Sequence, residues 1–515
     1  MNVATRRWWA LGGLTLAVLA VGLDGTVLSV ALPTLSKALR ASESDLQWFS
    51  SGYLLVLAAV MLPAGLLGDR YGRKKVLLVS VALFGVGSAA CAYSTSVGEF
   101  IAARVILGVA GAGVIVMALS ALTVMFSEEE RPKAIGVWAA ANFVALPIGP
   151  ILGGWLLTHY WWGWVFLMNV PVVLIGLLAT AMLVPASRAA EPPGLDPVGV
   201  ILSVAGLVSL TYGFIEAGEN GWSFLGAWAL IAAGTAVIVA FFGWERRLNR
   251  RPGGQPLLDL GLFRSKSYLW GVILAAVLVL SMMGALFTMP QYFQGVLGTT
   301  AMGSGLRLLP LIGGLVLGAV PAAQVVRLVG AKVSAAIGFA VLCAGLIIAT
   351  ATSVSSSGDF VALWMAITGL GMGIAMATTT SAALSELSQE RAGVGSAALQ
   401  ALNKVGGPLG SAVLGSVLTA AYLGRLDLSG LPAPAAAIVR QSVFGGVVVA
   451  RQLGSTALLE SVRTAFVHGM DLALAVSAGI ALGGVLLSLA FLPRGTLPDK
   501  KGFETPEGEV ELVAR

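Results

Sequence analysis

Asp24 is the residue whose type and position most clearly call for a chemical explanation. It lies in the first apolar run of the chain, residues 8–32, within the string Leu-Asp-Gly-Thr-Val-Leu-Ser-Val-Ala-Leu-Pro. A helix that begins near Trp9 would carry Asp24 roughly 22 Å along its axis, well inside a hydrocarbon layer of about 30 Å. A carboxylate at that depth must be protonated, paired or facing water, so its presence predicts a functional site.

Other residue types that commonly do chemistry are scarce in the apolar runs. Cys91 and Cys343 fall inside such runs, and the two histidines, His159 and His468, lie at run ends. This pattern suggests neither a disulfide framework nor a metal site, and it offers no histidine relay. The sequence contains no Gly-x-x-x-x-Gly-Lys-Ser/Thr string, which argues against an ATP-driven pump, and the chain is predicted not to be an enzyme. Asp24 is thus the only acid in the middle of a run.

A second polar cluster joins the second and third apolar runs. The string from Gly65 to Lys75 reads Gly-Leu-Leu-Gly-Asp-Arg-Tyr-Gly-Arg-Lys-Lys. Its glycines permit a tight turn and close approach of helices. Its arginines can hold the loop at the interface, and Asp69 can pair with them or cap a neighbouring helix. The simpler alternative is an ordinary basic cytoplasmic loop.

These residues belong to a chain whose composition predicts many membrane crossings. Its 515 residues are 57% hydrophobic and 11% charged, with a mean hydropathy of +0.90, whereas soluble domains average about 25% charged residues. Fourteen apolar runs are long enough to span a bilayer, which predicts an all-α polytopic membrane protein. The runs are approximately 8–32, 46–67, 76–94, 100–125, 134–158, 163–184, 197–215, 224–243, 268–290, 304–326, 332–351, 360–384, 394–422 and 467–492.

The placement of basic residues predicts the orientation. With the N-terminus in the cytoplasm, the main clusters of loop lysines and arginines lie inside, and the short outer loops carry chiefly Lys37 and Arg40. The even number of runs then puts both termini in the cytoplasm, with the chain in the cell inner (cytoplasmic) membrane. Residues 244–267 form a basic cytoplasmic link. Residues 423–466 form a long outer segment, interpreted as an amphipathic hairpin at the membrane or, alternatively, as an extra intramembrane helix pair.

Several strings together resemble the major facilitator superfamily. The loop at 65–75 is similar to its signature Gly-x-Leu-x-Asp-Arg-x-Gly-Arg-Lys, and the string around Asp24 resembles the first-span signature of its fourteen-span drug:proton antiporter branch. Residues 149–154, Gly-Pro-Ile-Leu-Gly-Gly, resemble the Gly-Pro-x-x-Gly-Gly element associated with exporters. Residues 162–171 and 403–416 also fit that branch, so the resemblance covers essentially the whole chain.

The resemblance implies a major facilitator fold, with two six-helix bundles plus two extra central spans, or fourteen transmembrane helices. It implies an N-terminal bundle in 1–190, two linking helices in 191–250 and a C-terminal bundle in 251–495, with a long outer loop at about 423–466. Residues 496–515 would form a cytoplasmic tail.

Roles for individual residues also follow from the resemblance. Proton coupling is expected of Asp24 and Arg104, whose fixed charge would favour the ionised form of a nearby carboxylate. The alternative for Arg104 is an interfacial arginine that extends outward. The loop would act in conformational gating through Gly65, Asp69, Arg70, Gly72 and Arg73. The exporter element would bend and pack the fifth span through Pro147, Gly149, Pro150, Gly153 and Gly154.

A substrate cavity is expected near Asp24 and Tyr53. Trp138 and Asn142, four residues apart, share one helix face and suit a wall that stacks aromatic or cationic compounds, although lipid-facing packing is an equal alternative. Lys404 could pair with Asp24 or bind lipid headgroups, and the sequence does not choose between them.

Departures from the family pattern bear on the substrate. Several exporters of multicationic drugs in this branch carry an acid in the second span where this chain has Ser51. That departure weakens any expectation of divalent cations. Ala145 stands where the span-5 motif usually has glycine, and the loop at 327–332, equivalent to 65–75, has lost the acid.

The function implied is a proton-coupled secondary exporter of lipophilic, cationic or neutral compounds. It would need no cofactor, would be driven by the proton gradient and would act as a monomer without nucleic acid. A dedicated self-resistance exporter of one natural product is the main alternative, and a non-transporting membrane sensor is a weaker one. Because Asp24 is the only acid in mid-span, it would bind both proton and substrate, which favours monocationic or neutral substrates.

Overall fold

The computed structural model describes residues 3–126, 130, 134, 145, 148–187, 196–251, 254, 256–258, 260–384 and 389–493. These residues form helices joined by short connections, and this described part contains no β-strand. The prediction of an all-α membrane protein is therefore confirmed.

The first seven helices lie before residue 188. They are α1 (Val3–Leu39), α2 (Glu43–Tyr71), α3 (Arg73–Ala92), α4 (Val97–Met125), α5 (helical from 148 to 159), α6 (Trp164–Leu167) and α7 (Asn169–Leu183). Two further helices follow, α8 (Pro197–Asn220) and α9 (Leu225–Asn249).

The remaining helices follow the link. They are α10 (Lys266–Gln291), α11 (Ala301–Arg307), α12 (Leu309–Ala319), α13 (Ala322–Ala349), α14 (Gly358–Leu384), α15 (Gln389–Arg425), α16 (Ala433–Gln441), α17 (Val443–Gln452) and α18 (Thr456–Phe491). A 3-10 turn at Leu262–Arg264 precedes α10, and a π-helical turn at Tyr292–Val296 follows it.

Twelve helical segments of the described chain are long and apolar enough to cross a membrane, and α2 makes thirteen if its two bent parts are one span. The bend in α2 is 47° and occurs just before Pro63, where proline removes a backbone donor and clashes with the preceding turn. The predicted span at 134–158 lies partly outside the described residues. The count of fourteen is therefore close to the structure but stays a prediction, as does the division at 190 and 250.

Some helix bounds differ from the predicted ones. The run at 304–326 is divided into α11 and α12, and α13 already begins at Ala322. Within α13 the helix breaks at Gly330, whose φ of 81° and ψ of 160° lie outside the helical region. The predicted loop at 327–332 is therefore a helical turn followed by a glycine break. The helix α18 begins at Thr456 rather than near 467, so Asp471 lies well inside it rather than at its start.

The helix ends define two faces of the molecule. The outer face is the side on which α1 ends and α2 begins, and the inner face is the side of the loop at 65–75. At the outer face, Ser42 starts α2 with a capping box, since its hydroxyl accepts from the Asp45 N–H at 3.2 Å and its own N–H donates to the Asp45 carboxylate at 2.8 Å.

The predicted hairpin at 423–466 contains two short helices, α16 and α17. Neither is long enough to cross a bilayer, which needs about 20 residues. Both pack on the protein: the Tyr422 hydroxyl donates to the Val439 carbonyl at 2.8 Å, and Val443 and Phe444 lie against Gly295 after α10. The segment thus forms a helical hairpin that covers the outer ends of α1 and α10.

Candidate functional site

Asp24 and Arg104 form a buried ion pair between α1 and α4. The Arg104 Nη1 donates to Asp24 Oδ2 at 2.6 Å, and the two side chains are 0% and 1% exposed. Both residues of the predicted proton-coupling pair are therefore in direct contact. The Arg104 side chain points into the protein, between the helices, and not outward to the membrane interface.

Arg104 is held by the second helix as well. Its Nε donates to the Phe49 carbonyl oxygen at 3.1 Å, and its Cζ lies 4.2 Å from the centroid of the Tyr53 ring. The Tyr53 hydroxyl in turn donates to the Val21 carbonyl at 3.4 Å. The guanidinium is thus fixed by a carboxylate, a carbonyl and an aromatic face, which together suit its planar, delocalised charge.

Asn169, at the start of α7, completes the group around Asp24. Its Nδ2 lies 3.5 Å from Asp24 Oδ1 and 3.4 Å from the Ser88 hydroxyl on α3, both at the long limit of hydrogen bonding. Asn169 lies in the string 162–171, but nothing in that string assigns this residue a role. Its position at the opening of the sixth predicted span was the available signal.

The electrostatics of this site follow from its burial. An isolated carboxylate away from water is very costly, and the adjacent guanidinium compensates its charge at short range. Protonation of Asp24 would leave Arg104 buried without a charged partner, so the proton and Arg104 compete for the same carboxylate. In this conformation no part of Asp24 is exposed to solvent, so its proton can exchange only after the helices around it move.

The predicted cavity residues have different outcomes. Tyr53 is 2% exposed and its ring covers Arg104, so it contributes to the ion-pair site rather than to an open cavity in this conformation. Trp138 and Asn142 lie outside the described residues, as does the side chain of Lys404. The described partners of Asp24 are Arg104 and Asn169.

The exporter element brings α5 into close contact with two other helices. A Cβ on Gly149 would clash with the Thr26 hydroxyl, and one on Gly153 would clash with Val27, both on α1 beside Asp24. A Cβ on Gly154 would lie 2.7 Å from the Ala301 carbonyl at the start of α11. The glycines therefore permit backbone approach, as is common between membrane helices. Pro150 lies in the same helix, and Pro147 lies outside the described residues.

The loop at 65–75 is a sharp turn closed by an ion pair. Gly72, with φ of 105°, separates α2 from α3 and adopts a conformation that favours glycine. Across it, Arg73 binds Asp69 with Nη2–Oδ1 at 2.8 Å, and the Arg73 N–H donates to the Ser187 carbonyl at 2.9 Å. Asp69 thus pairs with an arginine of the loop. Arg70 is exposed and lies over Tyr71, and Gly65 faces Val116 of α4.

A seam of polar contacts between α2 and later helices was not foreseen from the sequence. Ser51 hydrogen-bonds Ser411 on α15, and the Gln47 Nε2 donates to the Thr419 hydroxyl at 3.2 Å. At the outer face, the Gln291 Nε2 of α10 donates to Glu43 at 2.9 Å. Together with the α5–α11 contact, these interactions close the outer face between the first helices and α10–α15.

One described cavity, of about 620 Å³, lies at this outer face and not at Asp24. It opens between the start of α2, the end of α15 and the helical hairpin, and its charged lining residues are Glu43, Asp427 and Arg440. Among the described residues no group of three or more His, Cys, Asp or Glu side chains is arranged to hold a metal ion.

The comparisons with known proteins agree with this architecture. The family model of the Major Facilitator Superfamily matches residues 14–411. The chain is 35% identical to the tetracenomycin C resistance and export protein of Streptomyces glaucescens, covering 97% of this chain and 94% of that protein. It is 33% identical to the multidrug efflux pump LfrA of Mycolicibacterium smegmatis (95% and 97%) and 31% identical to the methyl viologen resistance protein SmvA of Salmonella typhimurium (94% and 97%).

One similar solved structure is a bacterial homologue of the human lysosomal transporter Spinster, in an inward-facing and unoccupied conformation. It superposes with a TM-score of 0.69 at 17% identity, covering 95% of this chain and 98% of that chain. A D-xylose-proton symporter gives a TM-score of 0.58 at 16% identity, covering 95% and 98%. At these identities the likeness shows the fold alone. With the match along the sequence, it establishes that this chain belongs to the Major Facilitator Superfamily, a family of membrane transporters and not of enzymes.

Proposed function

We propose that this protein is a proton-coupled exporter of lipophilic, cationic or neutral compounds across the cell membrane. The observation that carries the proposal is the Asp24–Arg104 pair, a carboxylate with 0% exposure bound by one guanidinium inside a membrane transporter. Such a carboxylate can hold either a proton or Arg104, and it can therefore couple protonation to helix arrangement. The names of the similar proteins, which refer to export, efflux and resistance, support the direction of transport.

The transport cycle would follow the competition for Asp24. With the outer face closed, as it is here, Asp24 is ionised and paired with Arg104, which corresponds to the state after proton release to the inside. Binding of substrate from the inner side, followed by opening of the outer seam, would expose Asp24 to external protons. Protonation would then free Arg104, weaken the site for cations and favour release outside.

Membrane orientation, oligomeric state and domain organisation are part of the same proposal. Both termini would be cytoplasmic, the chain would act as a monomer, and α8 and α9 would link two six-helix bundles. The clustering of basic residues on the inner face supports this orientation. The loop at 65–75 would act in gating, since its ion pair joins α2 to α3 at the inner face.

The substrate range has a second candidate. A dedicated exporter of one natural product is favoured by the likeness to the tetracenomycin C export protein, whereas the likeness to LfrA favours a broad range. Ser51, which is engaged with Ser411 in a helix seam, leaves no second acid at that position for a dication. We therefore expect ethidium, a monocation, to be carried better than methyl viologen, a dication.

Everted membrane vesicles that contain the full chain test the proposal. A pH gradient with an acidic vesicle lumen should drive ethidium uptake by the wild type. Asp24→Asn should abolish this uptake. Asp359→Asn should leave uptake unchanged because Asp359 is exposed at the start of α14. Full gradient-driven transport by Asp24→Asn would refute the coupling role. Transport of tetracenomycin C by the wild type, with no response to ethidium, would favour the dedicated exporter.

A further inference from the structure

A second buried carboxylate site lies on the helix pair α8–α9, at the inner face. Asp196 is the N-cap of α8, and its Oδ1 accepts from the Gly199 N–H at 3.0 Å. The Trp244 Nε1 of α9 lies 3.0 Å from both carboxylate oxygens of Asp196. Asp196 is 4% exposed and its neighbour Glu245 is 0% exposed. Neither residue contributes to the Asp24 site, and the family motifs described above do not include them.

Glu245 is fixed at one oxygen and unsatisfied at the other. Its Oε2 accepts from the Leu258 N–H at 3.1 Å, whereas its buried Oε1 has no hydrogen-bond donor among the described groups. A Cβ on Gly199 would clash with Asp196 Oδ2 and would lie 2.7 Å from Glu245 Oε1. The two carboxylate oxygens therefore face each other across the space left by the missing side chain.

No cation among the described residues balances the charges at this site. Within the described chain no lysine or arginine forms an ion pair with Asp196 or Glu245. The arginines next in sequence on α9, Arg246 and Arg247, are exposed, as are Arg250 and Arg251. On the facing segment, 256–258, the residues are Pro, Leu and Leu. Two ionised carboxylates buried side by side would repel each other and would lack compensation.

We propose that Asp196 and Glu245 form a proton-binding site in which Glu245 Oε1 carries a proton and donates it to Asp196 Oδ2. One proton gives Glu245 Oε1 a hydrogen-bond partner and removes one of the two negative charges. The N–H groups of Trp244 and Gly199 still donate to Asp196, and that of Leu258 still donates to Glu245 Oε2. Gly199 is required because any side chain there would separate the two carboxyl groups.

The site also ties down the segment that leads into α10. Leu258, whose N–H binds Glu245, packs in a cluster with Leu262 and with Tyr268 and Val272 of α10. The same cluster includes Ala383 of α14 and Ala398 and Leu399 of α15 at their inner ends. Loss of the proton would set the two carboxylates against each other and release Glu245 from Leu258. The proton would thus help hold the inner ends of three helices of the later part of the chain.

Thermal unfolding of the full-length protein in nanodiscs between pH 6 and pH 9 tests this site. A proton that is held by the folded pair and not by the unfolded chain would stabilise the fold at low pH, and this stabilisation would be lost as pH rises. We expect the wild-type midpoint to fall by several degrees toward pH 9. Glu245→Gln supplies an amide N–H in place of the proton, so it should keep the midpoint and flatten this dependence. Glu460→Gln, at an exposed acid on α18, is the matched control.

Infrared spectroscopy gives a direct readout that does not depend on transport. In an Asp24→Asn background, a protonated carboxyl band should be present at neutral pH, and the component that Glu245 contributes should be lost in Glu245→Gln. Asp196→Asn, whose amide can donate to Glu245, is a second variant that should also flatten the pH profile. Absence of the band, or an unchanged pH profile in both variants, would overturn the proposal. Stabilisation of the wild type by Na⁺ or Mg²⁺ at pH 8, lost in Glu245→Gln, would overturn it in favour of a metal cation.

Discussion

Asp24 and the Asp196–Glu245 pair are both buried carboxylate sites, but their charges are balanced in opposite ways. Asp24 has a guanidinium 2.6 Å away, whereas Glu245 faces a second carboxylate. A proton can leave Asp24 without creating an uncompensated charge, because Arg104 replaces it. A proton that leaves the inner pair creates such a charge. The first arrangement suits a proton that is exchanged in every cycle, and the second suits a proton that is held.

The strongest test of this contrast removes the cation from the first site. In Arg104→Gln, Asp24 would lack its counter-charge and would keep its proton, so we expect gradient-driven ethidium efflux to be lost. Removing one partner of a buried pair costs about 3–5 kcal/mol of folding free energy when the remaining group stays charged. Protonation of Asp24 offsets part of that cost, so we expect the loss of stability to grow as pH rises. Gradient-driven ethidium uptake by everted vesicles and the thermal unfolding midpoint measure the two effects separately.

The double variant Asp24→Asn/Arg104→Gln is the control for this experiment. It removes both charges, so we expect it to regain much of the stability lost in Arg104→Gln while still failing to transport. If Arg104→Gln instead retained wild-type coupling, the exchange of Arg104 for a proton would not be part of the mechanism.

The first site was accessible from the sequence, and the second was not. Asp24 stands out because the apolar run around it is long and contains no other acid. Arg104 lies in another long apolar run, so the expected burial of both charges is enough to identify them from the sequence. Asp196 and Glu245 lie at the ends of their helices, where acids are ordinary. Their proximity depends on the antiparallel packing of α8 and α9 and on the absent side chain of Gly199, which no local pattern reveals.

Helix positions show the same limit. Hydropathy located the spanning segments because burial in lipid demands long apolar runs. It placed the start of α18 too late because the first turns of this helix alternate exposed polar residues such as Glu460 with buried ones such as Val462, which lies against Gly446 of the helical hairpin. Likewise the contact of Glu43 with Gln291 joins residues far apart in the chain. Such long-range pairs depend on tertiary packing.

A smaller effect is expected where the same type of charge pair is partly exposed. The Asp69 and Arg73 side chains are 33% and 22% exposed, so solvent screens their attraction. In Asp69→Asn we expect turnover to fall several-fold because the α2–α3 turn loses its closing ion pair, with substrate affinity largely kept. Initial rates measured over a range of ethidium concentrations separate the effect on turnover from the effect on substrate affinity.

Glu130→Gln is the matched control, since it weakens the Arg7–Glu130 pair, whose side chains are 27% and 35% exposed on the same face. A change of equal size in this control would mean that loss of any inner-face ion pair slows transport. An unchanged turnover in Asp69→Asn would mean that the loop at 65–75 is an ordinary basic connection with no part in gating.

The smallest effect is expected at Asn169, which makes the long 3.5 Å contact with Asp24. This amide donates to the ionised carboxylate, so Asn169→Ala should favour the protonated form slightly. We therefore expect the pH profile of ethidium efflux to move upward by about half a pH unit, as a weak hydrogen bond to a charged group allows. Ser88→Ala removes the other partner of Asn169 and leaves its contact with Asp24, so its profile should stay in place. A shift in Ser88→Ala equal to that in Asn169→Ala would mean that packing of α7 against α3, and not the hydrogen bond to Asp24, sets the profile.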